Sequence, residues 1–247
     1  HAKFVIFSAT LDKYTRMMFH CRESYFYKER QSFCDFSKSE FIAIPNENFE
    51  VSFLKFLDYV NSKGLERGLC LSTTITDVNK ALTYDGYLGY KMFTDSRKFE
   101  KYKDGKKILV GSRRFFQGID IIGLQFVCMN KLPFPTWNEK TQKMRDYITN
   151  FGNNDIDFWT DFSVPKTEND IIQGTGRLWR TPDSFGVISI FDPRIVKHKY
   201  MIRHVLNDYR HGIKINIMDD ENNVKEFDVS KLEEADTRKD ESSGIDN

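Results

Sequence analysis

Gln173, Arg177 and Arg180 stand in the run Gln-Gly-Thr-Gly-Arg-Leu-Trp-Arg. If this segment is helical, spacings of four and three residues put the three side chains on one face. Ile171, Thr175 and Leu178 then fall on the opposite face, where they can pack on a sheet. Two guanidinium groups and an amide along one edge suit a polyphosphate, because arginine is always charged and grips phosphate oxygens in pairs. Gly174 and Gly176 inside a helix each cost about 1 kcal/mol relative to alanine, which points to close approach by another surface. The competing reading is a surface helix whose arginines pair with carboxylates.

A second stretch lies upstream, Lys107-Ile-Leu-Val-Gly111-Ser-Arg-Arg-Phe-Phe-Gln-Gly118-Ile-Asp120-Ile-Ile-Gly123. An apolar strand runs into a loop holding Gly118 and Asp120. Glycine lets a ligand approach the backbone closely, and Asp120 can accept hydrogen bonds from a ribose hydroxyl or from an arginine. Alone, Gly-Ile-Asp reads as a turn and nothing more.

Together and in this order, the two stretches resemble motifs V and VI of superfamily 2 helicases. Between them, Asn130-Lys-Leu-Pro-Phe-Pro135 is similar to the Leu-Pro-Phe-Pro of the DinG/XPD branch, and Phe191-Asp-Pro-Arg194 resembles the Asp-Pro-Arg that follows motif VI there. Phe7-Ser-Ala-Thr-Leu11 looks like the segment leading into the second motor domain, and Leu71-Ser-Thr-Thr74 matches motif IV in position. The resemblance runs from Phe4 to Arg194.

The resemblance implies a RecA-like second motor domain, α/β in three layers around a mostly parallel sheet. It implies that Gln173, Arg177 and Arg180 face the β- and γ-phosphates of ATP across an interdomain cleft, with Arg180 as arginine finger. Gly118 and Asp120 would couple nucleotide to DNA, Asp120 near the ribose or an arginine. Ser72 and Thr73 would donate hydrogen bonds to the backbone of single-stranded DNA, which positions a strand without reading its sequence. Arg113, Arg114 and Lys131 are further candidates for phosphate contact, with plain surface solvation as the alternative. Phe115 or Phe116 could stack on a base or sit in the core. Gln117 stands where the family often has Glu, which puts any role of that charge in doubt. The implied activity is ATP-dependent DNA unwinding, 5′ to 3′.

No Gly-x-x-x-x-Gly-Lys-Ser/Thr loop occurs, since Gly105-Lys106 lacks both the earlier glycine and the hydroxyl residue. No acidic metal box precedes the motifs, and Ile215-Asn-Ile-Met-Asp-Asp-Glu221 reads better as part of a hairpin. ATP and Mg2+ are therefore expected to be bound mainly by a first motor domain, supplied in cis or in trans, and this chain alone is expected not to hydrolyse ATP. It would be a piece of a longer protein or half of a split motor. The alternative is a non-catalytic nucleic-acid-binding module that keeps the fold without the motor. A phosphate-binding enzyme of another class would need a nucleophile or general base, and the five histidines form no such arrangement.

The elements that must position these residues alternate. Strand-like runs are Lys3–Ser8, Phe41–Pro45, Gly68–Thr73, Leu88–Phe93, Lys107–Gly111, Gln125–Asn130 and Gly186–Asp192. Helical runs are Glu50–Lys63, Ile75–Thr83, Lys140–Phe151, Glu168–Thr181 and Lys197–Tyr209. Residues 144–163 read as an irregular insert between two helices. Ile213–Met218 and Val224–Val229 flank a turn-rich stretch and read as a β-hairpin. The organisation predicted is a domain over residues 1–218, then the hairpin's end and an acidic, polar, disordered tail over 219–247.

Of the 247 residues, 40% are hydrophobic and 30% charged, the balance of a globular domain. The net charge of +1 is uneven: residues 219–247 carry eleven acids and four bases, which leaves +8 on residues 1–218, compatible with a nucleic-acid partner. Cys21, Cys34, Cys70 and Cys128 form no C-x-x-C pair and read as free thiols of a reducing, intracellular compartment, cytoplasmic in a prokaryote or virus and nuclear in a eukaryote. No apolar run is long enough to span a bilayer, so no membrane partner is expected.

Overall fold

The computed structural model describes residues 34–112, 115, 121–151, 157–208 and 212–229. Its eight strands form one sheet in the order β3-β4-β2-β5-β6-β1-β7-β8. They are β1 (Glu40–Ala43), β2 (Arg67–Leu71), β3 (Lys91–Phe93), β4 (Lys107–Gly111), β5 (Phe126–Met129), β6 (Val187–Ile190), β7 (Lys214–Met218) and β8 (Val224–Glu226). Every pairing is parallel except β7 with β8. Buried on both faces, the inner strands read as continuous apolar runs rather than alternating ones. One consequence is that all the parallel strands end at a common carboxyl edge, where α/β sheets bind ligands.

Two apolar layers sandwich the sheet. On one side lie α1 (Phe49–Ser62) and α2 (Ile75–Leu82), with Phe49, Phe53, Phe56, Leu57, Val60, Val78 and Ala81 turned inward. Asn48 caps α1 by accepting from the backbone of Glu50, and Thr74 caps α2 by accepting from Asp77. The short helix α3 (Ser96–Lys101) leads from β3 to β4 and buries Phe99. The other layer receives α5 (Val164–Thr175) and the segment 195–206, with Ile171, Leu178, Ile195, Met201 and Val205 in the core. Between β5 and α5 runs α4 (Glu139–Phe151). No described helix is long and apolar enough to cross a membrane.

Several boundaries differ from the sequence reading. The strand expected at Leu88 starts only at Lys91, because Gly86 and Leu88 (φ 51°) close a tight turn that places fully buried Tyr90 at its end. The helix expected over 197–209 is two short helices, α6 (Arg194–Lys197) and α7 (Lys199–Ile202), continued by a π-helical turn over Arg203–Asp208. The break is at His198 (φ −102°, ψ 32°), whose ring is buried against Phe134, Trp159 and Tyr200. Of the insert expected over 144–163 to join two helices, residues 144–151 belong to α4, and a π-helical turn at Trp159–Ser163 runs straight into α5. The hairpin forms as read, but β7 pairs with β1 and makes it part of the main sheet. The division at residue 218 therefore falls in that hairpin's turn. The strand expected at Lys3–Ser8 lies outside the described residues.

Candidate functional site

The structure sorts the candidate residues by sheet edge. Because α5 returns from the carboxyl end of β5 toward the amino end of β6, its C-terminus comes down at the amino edge. Gln173 sits half-buried in the last turn of α5. The helix ends at Thr175, six residues earlier than expected, so Arg177 and Arg180 do not ride on it. Tight turns follow, with Arg177 N–H donating to Gly174 O at 3.3 Å and Leu178 N–H to Thr175 O at 3.0 Å. Two glycines weaken the helix there, and two apolar side chains pull the chain inward: Leu178 is 1% exposed and Trp179 7%.

Trp179 moors this turn. Its indole N–H donates to Ser39 Oγ at 3.1 Å, and its ring meets Phe36 edge to face at 5.1 Å. The same Ser39 oxygen accepts from Gly186 N–H at 3.3 Å, and Cys34 Sγ donates to Thr181 O at 3.2 Å. A Cβ at Gly186 would stand 2.0 Å from Gln125 O, so only glycine admits this approach. Arg180, between two anchored residues, is exposed, while Arg177 is half-buried. The donor set suits an anion: two guanidinium groups and an amide, with Arg180 projecting from the surface. As the sequence predicted, Ile171, Thr175 and Leu178 pack inward.

Ser72, Thr73 and Lys131 meet at the carboxyl edge instead. Thr73 N–H donates to Asn130 Oδ1 at 2.8 Å, and Asn130 Nδ2 donates to Asp77 Oδ2 at 2.5 Å. The same carboxylate oxygen accepts from Thr74 Oγ1 at 2.7 Å and lies 4.0 Å from Lys131 Nζ. Asn130 and Asp77 are buried, and Lys131 is exposed. Ser72 is fully buried, and its Oγ has no hydrogen-bond partner among the described residues. Such an orphan hydroxyl costs about 1–3 kcal/mol.

Beside this network, the Leu-Pro-Phe-Pro and Asp-Pro-Arg segments interlock. Asp192 Oδ2 accepts from Leu132 N–H at 2.9 Å and from Arg194 NH2 at 2.8 Å, while Oδ1 accepts from Arg194 Nε at 3.0 Å. The Arg194 guanidinium lies 4.9 Å from the Phe134 ring centre, and Phe134 stacks on Trp159 at 5.0 Å. Burial, then the positive charges of Arg194 and Lys197, lower the His198 imidazole to about 4. Sequence reasoning gave no role to Asp77, Trp159 or His198, and named Asn130 only as the start of the Leu-Pro-Phe-Pro segment. The signal for Asn130 was available in part, as a polar residue closing an apolar strand.

Phe115 packs against the core, which decides between the two readings of that ring. A Cβ on Gly111 would come 1.6 Å from it. Arg113, Arg114, Phe116, Gln117, Gly118 and Asp120 lie outside the described residues.

Residues 61–210 match the family model described as the helicase C-terminal domain. The chain is 31% identical over 109 residues to the ATP-dependent DNA helicase DinG of Photobacterium profundum, covering 41% of this chain and 15% of the relative. It is 33% identical over 100 residues to the ATP-dependent DNA helicase YoaA of Haemophilus influenzae, covering 40% of this chain and again 15% of the relative. The chain thus spans only a small part of the curated relatives it matches. Among solved structures, Xpd4 of S. tokodaii superimposes with a TM-score of 0.51 at 13% identity, over 74% of this chain and 39% of that one. An apo XPD structure gives 0.52 at 11%, over 73% and 40%. The fold is the RecA-like one the sequence predicted, and the chain belongs to the helicase C-terminal domain family, in its DinG/XPD branch.

Proposed function

We propose that this chain is the second motor domain of an ATP-dependent DNA helicase that moves 5′ to 3′ along a single strand. A first motor domain, in cis or in trans, holds most of the ATP and its Mg2+. Gln173, Arg177 and Arg180 close the pocket from this side, with Arg180 as the finger on the transferring phosphoryl group. Gly118 and Asp120 would couple nucleotide to DNA, as the motif they belong to implies. The carboxyl edge carries the strand through Thr73 and Lys131, with Ser72 buried behind them, and Arg113 and Arg114 would add phosphate contacts. The reading places the protein inside the cell, cytoplasmic in a prokaryote or virus and nuclear in a eukaryote.

The observation that carries this reading is the separation of two polar groups on one rigid sheet. An exposed cationic turn sits at the amino ends of the strands and a hydrogen-bonded polar loop at the carboxyl ends. β4 ends at the carboxyl edge and β5 begins at the amino edge. A domain that only held DNA would need the second group and not the first. The names of the DinG and YoaA relatives support the same activity.

In the longer protein, Arg180→Ala is expected to lower DNA-stimulated ATP hydrolysis by about 10³-fold or more, the usual worth of an arginine finger, and to leave DNA affinity unchanged. Unchanged turnover refutes the finger. DNA binding without any DNA-stimulated hydrolysis in the unmutated longer protein favours the non-catalytic module. The isolated chain is expected to show no ATP hydrolysis of its own.

A further inference from the structure

The loop leaving the carboxyl end of β5 ends in a large side chain that the core does not use. Trp137 is 53% exposed, immediately before the capped start of α4. Asn138 and Thr141 cap that helix reciprocally, Thr141 N–H donating to Asn138 Oδ1 at 3.1 Å and Asn138 N–H to Thr141 Oγ1 at 2.8 Å. The cap fixes where the indole emerges. Phe158 meets the indole edge to face at 6.1 Å, and the Arg145 guanidinium lies 5.5 Å from its ring centre.

The charge around the indole is positive and uncommitted. Arg145 and Lys140 are exposed, and neither has a carboxylate within ion-pair distance among the described residues. Lys143, by contrast, is neutralised by Glu139 at 2.5 Å. Lys131 opens the same loop and stands at the polar edge formed by Thr73 and Asn130. An exposed indole beside unpaired cations, on the loop that Lys131 opens, is what a flexible polyanion with aromatic bases requires.

We propose that Trp137, with Arg145 and Lys140, forms a stacking platform for one base of single-stranded DNA, extending the track beyond Thr73 and Lys131. This rests on the reading of the carboxyl edge as the DNA face. Stacking is indifferent to base identity, so the platform holds a strand without selecting sequence.

The test uses the whole chain, titrated at low salt with a thymidine homopolymer. Trp137 is the exposed tryptophan, since Trp179 is buried and Trp159 half-buried. Binding is expected to quench its fluorescence. Trp137→Ala should weaken binding about tenfold and Trp137→Phe by less, as expected for one stacked base. Arg145→Ala should weaken binding and flatten its salt dependence by about one phosphate contact. If Lys131→Ala weakens binding while Trp137→Ala does not and no quenching occurs, the platform is refuted and the edge reading survives. If the chain fails to bind the strand at all, both fall together.

Discussion

Asn130 donates its side-chain amide to the carboxylate of Asp77 at 2.5 Å, joining the end of β5 to the first turn of α2. Both groups are buried, and the other end of the same amide accepts from Thr73 N–H. One side chain thus sets the spacing between the two loops assigned to the strand.

Replacing it should uncouple them. Asn130→Ala leaves a buried carboxylate short of a donor and a backbone N–H short of an acceptor, a loss of about 2–3 kcal/mol. Asn130→Asp should cost more, because it sets a second carboxylate against Asp77. Urea denaturation of the two variants measures the order, and equal midpoints to the parent would show the bridge to be dispensable.

Asp192 and Arg194 should respond unequally. Arg194 is half exposed at its side chain while Asp192 is 2% exposed. Arg194→Ala is expected to cost about 1 kcal/mol, as an ion pair with one solvated member does. Asp192→Ala also strips the acceptor from the backbone N–H groups of Leu132 and Arg194 and should cost about 2–3 kcal/mol. Equal losses would mean that the ion pair, and not the backbone bonds, is what matters.

His198 makes stability depend on pH. Its imidazole is held neutral, lowered from 6.5 to about 4 chiefly by burial. Below pH 6.5 the unfolded chain takes up a proton that the folded one refuses, so stability falls as the pH drops from 6.5 toward 4. The loss by pH 5 is at most about 2 kcal/mol. The difference between the parent and His198→Phe, followed by denaturation from pH 7 to pH 5, isolates this contribution. Parallel pH profiles would contradict it.

Gly68 should tolerate nothing larger. A Cβ there would lie 1.9 Å from the ring of Phe126, which is itself wedged against Phe56 and Tyr90. Gly68→Ala is expected to cost about 1–3 kcal/mol through displaced packing, read as a lowered melting temperature.

What could be read beforehand follows from which interactions are local. β4 appears over the same Lys107–Gly111 that the apolar run and its glycine delimit, because a strand buried on both faces is written in consecutive residues. The run Glu50–Lys63 marks α1 as a helix, but not that Leu54 stays half-buried while Phe56 is fully buried against Phe126 and Phe191. Periodicity gives the face of a helix but not which partner lies across from it. The end of α5 was misjudged because spacing alone extends a helix through Arg180, whereas the burial of Leu178 and Trp179 against distant Phe36 and Ser39 ends it. His198 read as one more helical residue, and its aromatic neighbours come from three separate segments. The family was legible in its motifs; the Thr73–Asn130–Asp77 network, assembled from separate strand ends, was not.

Ending α5 before its arginines has a mechanical corollary. A guanidinium on a rigid rod can reach a partner only if the whole rod travels. Mounted on a short strap pegged at Trp179 and Thr181, Arg180 can swing toward an approaching surface without breaking any hydrogen bond of the helix. Domain closure would then have to reorient one strap, leaving the frame behind it undisturbed.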